Sequence, residues 1–140
     1  MNRYFGILWI YILVLVAASC NAQTKEDEKV QEQVANEEVS VTYFHFTRRC
    51  ATCMAIESES LKLIESLYPD HYNAGKITFL SYNLDESDSE IAAKKYKISG
   101  QSLLVIKGGN IKDLTKEGFM YARTNPAKFH SELEKAIGKL

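Results

Sequence analysis

The chain has 140 residues, of which 46% are hydrophobic, 11% aromatic and 25% charged. These values are typical of one small soluble domain and exclude collagen-like, coiled-coil and wholly disordered chains. The 17 Lys and Arg residues oppose 18 Asp and Glu residues, which leaves a net charge of -1. Because nucleic-acid binding normally needs a basic surface, we expect no nucleic-acid partner.

The first 22 residues have the organisation of a signal peptide. Arg3 precedes an uncharged apolar run, residues 4–18, which ends in small residues. The run is about five residues short of the roughly 20 that a membrane-spanning helix needs. An uncleaved N-terminal anchor is the alternative. We therefore expect an exported protein, located in the periplasm or anchored in the cell envelope.

Two cleavage sites are compatible with this segment. Residues 17–20, Ala-Ala-Ser-Cys, resemble a bacterial lipobox, although Ala17 stands where Leu is usual. In that case Cys20 is lipidated and becomes the first residue of the mature protein. An ordinary signal peptidase would instead cut after Ala22. Either cut keeps Cys20 out of the folded core, and a lipid on Cys20 would be the protein's only membrane contact.

An acidic segment, residues 23–38, follows the leader and has no aromatic residue. Such a composition cannot bury enough apolar surface to offset the entropy lost on ordering, so we expect a solvated tether. The folded domain then spans residues 39–140, about 100 residues.

Within the domain, β-branched and aromatic residues predict a first strand over 39–46. Apolar residues at helical spacing predict a helix over 53–68, which Pro69 and Asp70 end. The remaining elements are predicted as a strand over 76–83, a helix over 85–96, a strand over 103–106, a turn at 108–110, a strand within 113–122, and a helix over 126–139 capped by Asn125. This order predicts an α/β fold, a mixed sheet flanked by helices.

Cys50-Ala51-Thr52-Cys53 lies where the first strand passes into the first helix. The free N–H groups and partial positive charge of a helix N-terminus favour a thiolate, and the charges of Arg48 and Arg49 are expected to add to this effect. In such surroundings a Cys pKa falls from about 8.5 into the range of about 3.5 to 7.5. We therefore assign Cys50 as the attacking thiol and Cys53 as the partly buried resolving thiol, with the two able to form a disulfide.

With this motif in this order of elements, residues 39–140 resemble the thioredoxin family. The resemblance implies a thioredoxin-like fold and thiol–disulfide chemistry on protein thiols or disulfides, with no cofactor. It also implies that Gln101 and Ser102, in the loop before the third strand, contact substrate. We expect the domain to be a monomer.

The sequence departs from the family at three places. Ser102 stands at the position of the family's cis-proline, which predicts a trans bond there or a strained cis bond tied to function. Phe44 stands six residues before Cys50, where the family has a buried acid that takes the proton of the resolving Cys. Arg49 replaces Trp, and Ala51-Thr52 replaces Gly-Pro.

The sequence is also compatible with functions other than thiol–disulfide exchange. Structural zinc sites commonly use two closely spaced ligand pairs, and His45, His71 and His130 do not supply a second pair, so we predict no metal site. The alternative function is a metal-binding or redox-sensing module that uses the two thiols without turnover, because the missing proline leaves room for a soft metal. A third function compatible with the sequence is that of an interaction domain in which the Cys50–Cys53 motif is vestigial. For His45, a packed strand residue is favoured over a redox role.

Overall fold

The computed structural model describes residues 38–139, except for the side chain of Lys139. The predicted signal peptide, Cys20, nearly all of the tether, and Leu140 lie outside the described residues. The described chain forms the elements β1 (Val39–His45), α1 (Ala51–Leu67), α2 (Pro69–Asn73), β2 (Ile77–Asn83), α3 (Ser89–Tyr96), β3 (Ser102–Lys107), β4 (Asn110–Asp113), α4 (Thr115–Tyr121) and α5 (Pro126–Lys139).

The four strands form one mixed sheet in the order β2-β1-β3-β4. β1 runs parallel to β2 and antiparallel to β3, and β4 returns antiparallel to β3 after a tight turn. In this register Tyr43 on β1 lies opposite Ser81 on β2 and Leu103 on β3. The arrangement confirms the predicted α/β class, a thioredoxin-like mixed sheet flanked by helices.

Successive residues of β1 point to opposite faces of the sheet, as the strand's period of two requires. Val41 and Tyr43 belong to the larger core, which includes Ile56 of α1 and Phe129 of α5. Phe44 belongs to a second cluster with Leu104 and Ile106, against which residues of α3 pack. Helices therefore cover both faces, and α1 lies on the same face as Tyr43.

The prediction of a strand within residues 113–122 is wrong. The strand there is β4, which ends at Asp113, and residues 115–121 form the helix α4. Burial recurs at Leu114, Gly118 and Ala122, a spacing of four that matches a helix rather than a strand. Of the aromatic residues of α4, Phe119 is 39% exposed, whereas Tyr121 packs against the larger core.

Two helices also differ from their predicted extents. The helix expected from Asp85 begins only at Ser89, and the side chains of Asp85 and Glu86 instead accept hydrogen bonds from Thr47 and Asn83. Pro69 does end the first helix, but it also begins the short helix α2, where its missing N–H costs nothing. The last helix agrees with the prediction, since Asn125 Oδ1 accepts the N–H of Lys128 at 3.2 Å.

None of the helices formed by residues 38–139 is long and apolar enough to cross a membrane.

Candidate redox-active site

Cys50 is the N-cap residue of α1, immediately after the loop that leaves β1. Its backbone is extended, with φ -79° and ψ 164°, and its carbonyl accepts the N–H of Met54 at 3.0 Å. Its Sγ accepts the N–H of Cys53 at 3.1 Å, as the side-chain oxygen of an ordinary N-cap residue would. The helix therefore directs one of its free N–H groups at the sulfur of Cys50.

Cys50 and Cys53 form a disulfide, with their Cα atoms 5.0 Å apart. The two residues differ sharply in exposure: Cys50 is exposed, whereas only 2% of the surface of Cys53 is accessible. The predicted pairing is therefore confirmed. An incoming sulfur can reach Cys50 from solvent, whereas Cys53 is covered by the protein.

The loop before β3 lies against the buried sulfur. Gln101 Oε1 is 3.2 Å from Cys53 Sγ. Ser102 is the first residue of β3, and its hydroxyl donates to the carbonyl of Gly100 at 3.0 Å. Residues 38–139 contain no cis peptide bond, so the bond before Ser102 is trans, the first of the two predicted alternatives. Gln101, rather than Ser102, is the residue whose side chain reaches the pair.

Arg49 turns away from the exposed sulfur and towards the protein interior. Its guanidinium forms an ion pair with the carboxylate of Glu57 and lies over the ring of Tyr43, with Cζ 5.8 Å from the ring centre. Glu57 follows Cys53 by four residues and so lies one helical turn further along α1. The charge of Arg49, predicted to act on the thiolate, is therefore offset by a partner of opposite sign.

The groups around Arg49 have shifted pKa values. Burial acts to raise the pKa of Glu57, but hydrogen bonds from Ser81 and Arg49 outweigh it and lower the pKa below its usual value. Burial raises the pKa of the Tyr43 hydroxyl, and the charge of Arg49 acts in the opposite direction. At neutral pH, Glu57 is therefore an ionised partner of Arg49, and Tyr43 is an uncharged neighbour of both.

Two other predicted residues lie near the motif without touching the sulfurs in any described contact. Arg48 is exposed in the loop between β1 and α1. His45 ends β1, and its Nδ1–H donates to the carbonyl of Phe46 at 3.0 Å. This bond fixes the ring beside its own loop, in agreement with the structural role favoured for His45 from the sequence.

The loop that carries the motif is also held from the β2 side. The N–H of Thr47 donates to Asp85 Oδ2 at 2.8 Å. This backbone hydrogen bond, together with one from the Thr47 side chain, lowers the pKa of Asp85. Asn83 Nδ2 donates to Thr47 Oγ1 at 3.0 Å. The segments at the carboxyl ends of the parallel strands β1 and β2 are thus joined three residues before Cys50.

Phe44 lies on the sheet face opposite α1. It is fully buried and stacks on Tyr82 with ring centres 5.3 Å apart. The sheet residue beneath the start of α1 is Tyr43, which belongs to the same core as Ile56. Phe44, six residues before Cys50, therefore lies on the sheet face that α1 does not cover. On the face that α1 covers, the polar side chains of Tyr43, Arg49 and Glu57 lie close together.

Sequence reasoning missed Glu57, Asp85 and Thr115 as parts of this region. The spacing of four between Cys53 and Glu57 could have revealed Glu57, because residues i and i+4 share one helix face. Asp85 was assigned to a helix and Thr115 to a strand, so neither could be placed at the site. Thr115 Oγ1 in fact accepts the N–H of Leu103 at 3.0 Å, beside the Gln101 loop.

Among residues 38–139, no group of three or more His, Cys, Asp or Glu side chains converges in an arrangement that could hold a metal ion.

No family model and no curated protein matches the sequence. Among solved structures, the chain is similar to oxidised thioredoxin O2 of Arabidopsis thaliana, at 20% identity over 77% of this chain and 86% of that chain, with a TM-score of 0.49. It is also similar to oxidised mitochondrial thioredoxin 3 of Saccharomyces cerevisiae, at 23% identity over 81% and 89% of the two chains, with a TM-score of 0.46. The germline-specific thioredoxin Deadhead of Drosophila melanogaster is 19% identical over 83% and 93%, with a TM-score of 0.46.

Proposed function

We propose that this protein is an exported thiol–disulfide oxidoreductase that exchanges the Cys50–Cys53 pair with protein thiols or disulfides. The observation that carries the proposal is the disulfide at the N-terminus of α1, in which one sulfur is exposed and the other buried. This asymmetry assigns different roles to the two sulfurs. Cys50 meets the substrate, and Cys53 acts only within the protein.

In the reduced protein, Cys50 is the nucleophile. The N–H of Cys53, 3.1 Å from Cys50 Sγ, and the positive end of the α1 dipole both stabilise negative charge on that sulfur. The Cys50 thiolate attacks one sulfur of a substrate disulfide. A bond forms between Cys50 and that sulfur, the substrate S–S bond breaks, and the other substrate sulfur leaves as a thiolate that takes up a proton.

The second step is internal. The thiolate of Cys53 attacks Cys50 Sγ, which forms the observed disulfide and releases the second substrate thiol. The substrate has then gained two electrons and two protons, and the protein dithiol has lost them. The same steps in reverse oxidise a substrate dithiol. The pair carries the electrons, so these steps need no further cofactor.

Export is part of the proposal and rests on the sequence of residues 1–22. Disulfides persist in extracytoplasmic compartments, where a protein of this kind finds both thiol and disulfide substrates. A lipid on Cys20 would place the domain at a membrane surface, with the acidic segment 23–38 as its tether. Mass spectrometry of the mature protein tests whether residues 1–22 act as a cleaved signal: lipid on Cys20, or an N-terminus at Gln23, supports cleavage, and an intact leader contradicts it.

Trapping of the mixed disulfide tests the chemistry. In a Cys20→Ser background, a Cys53→Ala variant incubated with a disulfide-containing model protein is expected to accumulate a covalent adduct through Cys50, because the resolving thiol is missing. The matched Cys50→Ala variant retains only the buried thiol and should form little adduct. Equal adduct formation by the two variants would contradict the assigned roles. A reduced protein that binds Zn(II) or Cu(I) and forms no adduct would favour the metal-binding alternative.

A further inference from the structure

Cys53 Sγ has a polar neighbour from a distant part of the chain. Gln101 follows Cys53 by 48 residues, and its Oε1 is 3.2 Å from the sulfur, within the range for a sulfur hydrogen bond. Because Cys53 is only 2% exposed, water does not compete freely for this sulfur. The side chain of Gln101 therefore supplies a polar contact to this buried sulfur.

The loop that carries Gln101 is anchored on both sides. Before it, the carbonyl of Gly100 accepts the hydroxyl of Ser102 at 3.0 Å. After it, the N–H of Leu103 donates to Thr115 Oγ1 at 3.0 Å, and the carbonyl of Leu103 accepts the N–H of Leu114 at 2.8 Å. These bonds fix the backbone on both sides of Gln101, in a loop that contains no proline. From this loop the side chain of Gln101 reaches Cys53 of α1.

The contact has a different meaning in the two redox states. A sulfur in a disulfide has no hydrogen, so Gln101 Oε1 faces it without a hydrogen bond. A reduced Cys53 has an S–H group that can donate to the same oxygen. We infer that Gln101 is a positioning residue for Cys53, which accepts the thiol hydrogen in the reduced protein and so stabilises the dithiol relative to the disulfide. This inference rests on the proposed function and adds a determinant of its redox equilibrium.

The equilibrium that Gln101 shifts can be written with glutathione. One protein disulfide and two glutathione thiols give one protein dithiol and one glutathione disulfide. The Cys50–Cys53 bond breaks, a glutathione S–S bond forms, and two electrons and two protons pass to the protein sulfurs. The proton on Cys53 then takes part in the hydrogen bond to Gln101. A larger equilibrium constant for this reaction means a more strongly oxidising protein disulfide.

The parent protein for the experiment is the full chain with the change Cys20→Ser. The equilibrium constant is measured for this parent and for the variants Gln101→Leu and Gln101→Glu made in it. Leu removes the acceptor, so the constant is expected to fall about fivefold, or about 20 mV for a two-electron couple. Glu presents a charged and stronger acceptor, so the constant should equal or exceed that of the parent. Ser99→Ala, an exposed change in the same loop, is the matched control and should alter the constant less than twofold.

A constant that falls with Leu but not with Glu separates a hydrogen-bonding role from a structural one, because a loop that is only disturbed shifts in one direction with both. A constant for Gln101→Leu within twofold of the parent would overturn the inference while leaving the proposed function intact. A shift in the same direction with Leu and Glu would also overturn it. If the parent dithiol and disulfide do not interconvert with glutathione at all, the proposed function fails, and this inference fails with it.

Discussion

Arg49 forms an ion pair with Glu57. Arg49 precedes Cys50, the first cysteine of the motif, and Glu57 lies one helical turn after Cys53, the second cysteine. The pair joins the loop that leaves β1 to the side of α1. It also balances the charge of Arg49 close to the disulfide. Part of the positive charge that the sequence places next to Cys50 therefore serves to fix the loop.

Replacing Glu57 tests this role. At pH 7 we expect Glu57→Gln to lower the free energy of unfolding by about 0.5 to 1 kcal/mol, a small value because the side chains of Arg49 and Glu57 remain 23% and 28% exposed. The pKa of Glu57 is lower in the folded state than its ordinary 4.5. Its contribution is therefore complete above about pH 5 and is lost as the pH falls through the folded-state pKa.

Urea unfolding at several pH values from 7 to 3 measures this difference. The stabilities of the parent and Glu57→Gln should converge at the acid end. Glu132→Gln is the matched control, since Glu132 pairs with Lys135 within α5 through side chains that are more exposed than those of Arg49 and Glu57, and its loss should cost at most about 0.3 kcal/mol. A difference between the parent and Glu57→Gln that stays constant with pH would contradict the ion-pair account.

Asp85 is expected to order the loop before Cys50. Because Asp85 accepts the N–H of Thr47, Asp85→Asn should reduce the protection of that amide against hydrogen exchange. Hydrogen bonding to Thr47 lowers the pKa of Asp85 below its ordinary 3.8, so in the parent the protection should be full near neutral pH and fall as the pH drops through the lowered pKa. Hydrogen-exchange rates measured by NMR, corrected for the intrinsic pH dependence of exchange, give the protection of the Thr47 amide. Asp88→Asn, an exposed neighbour, should leave Thr47 unchanged, and equal loss in both variants would contradict the assignment.

Phe44 is expected to act in packing. It is fully buried on the face away from α1, so Phe44→Ala should lower the free energy of unfolding by about 3 to 5 kcal/mol. Phe119→Ala, at a position 39% exposed on α4, is the control and should cost less than about 1 kcal/mol. Denaturant unfolding compares the two. If the two variants lowered the free energy of unfolding by similar small amounts, Phe44 would not be a core residue on the sheet face that α3 covers.

Gly118 permits the close approach of α4 to α1. A Cβ atom there would meet Ile56 Cδ1 and Cγ1 at 3.3 Å, so Gly118→Val should destabilise the fold by about 1 to 3 kcal/mol. Shortening the partner should relieve part of the clash: the double variant Gly118→Val, Ile56→Val is expected to be more stable than the sum of the single changes predicts. Strict additivity of the two changes in unfolding experiments would contradict this contact.

The sequence predicted the elements whose local pattern and tertiary environment agree. β1 is rich in β-branched and aromatic residues and is buried along most of its length, and α5 has both a capping Asn125 and Pro126 at its first position. For the segment 113–122 we predicted a strand, whereas the segment forms a helix that buries the small residues Gly118 and Ala122. A helix that packs through small side chains gives little hydrophobic signal.

At the site, the cysteine pair was predicted because the motif and its place in the order of elements are local features. The Gln101 loop was predicted only through the resemblance to the thioredoxin family. The partners of Arg49 were not predicted. Residues 48 and 49 are both arginines, and only the folded loop determines that Arg49 points inwards to Glu57 while Arg48 stays exposed. The same holds for Asp85, whose hydrogen bond to Thr47 joins loops 38 residues apart.

Catalysed disulfide exchange tests the central claim most directly. In a Cys20→Ser background, a small amount of protein is added to a model protein disulfide and excess glutathione, and the rate of disulfide reduction is followed. The account predicts many turnovers per protein molecule, abolished by Cys50→Ser and strongly reduced by Cys53→Ser. A rate no faster than glutathione alone, or one unchanged in the Cys50→Ser variant, would contradict a thiol–disulfide oxidoreductase built on this pair.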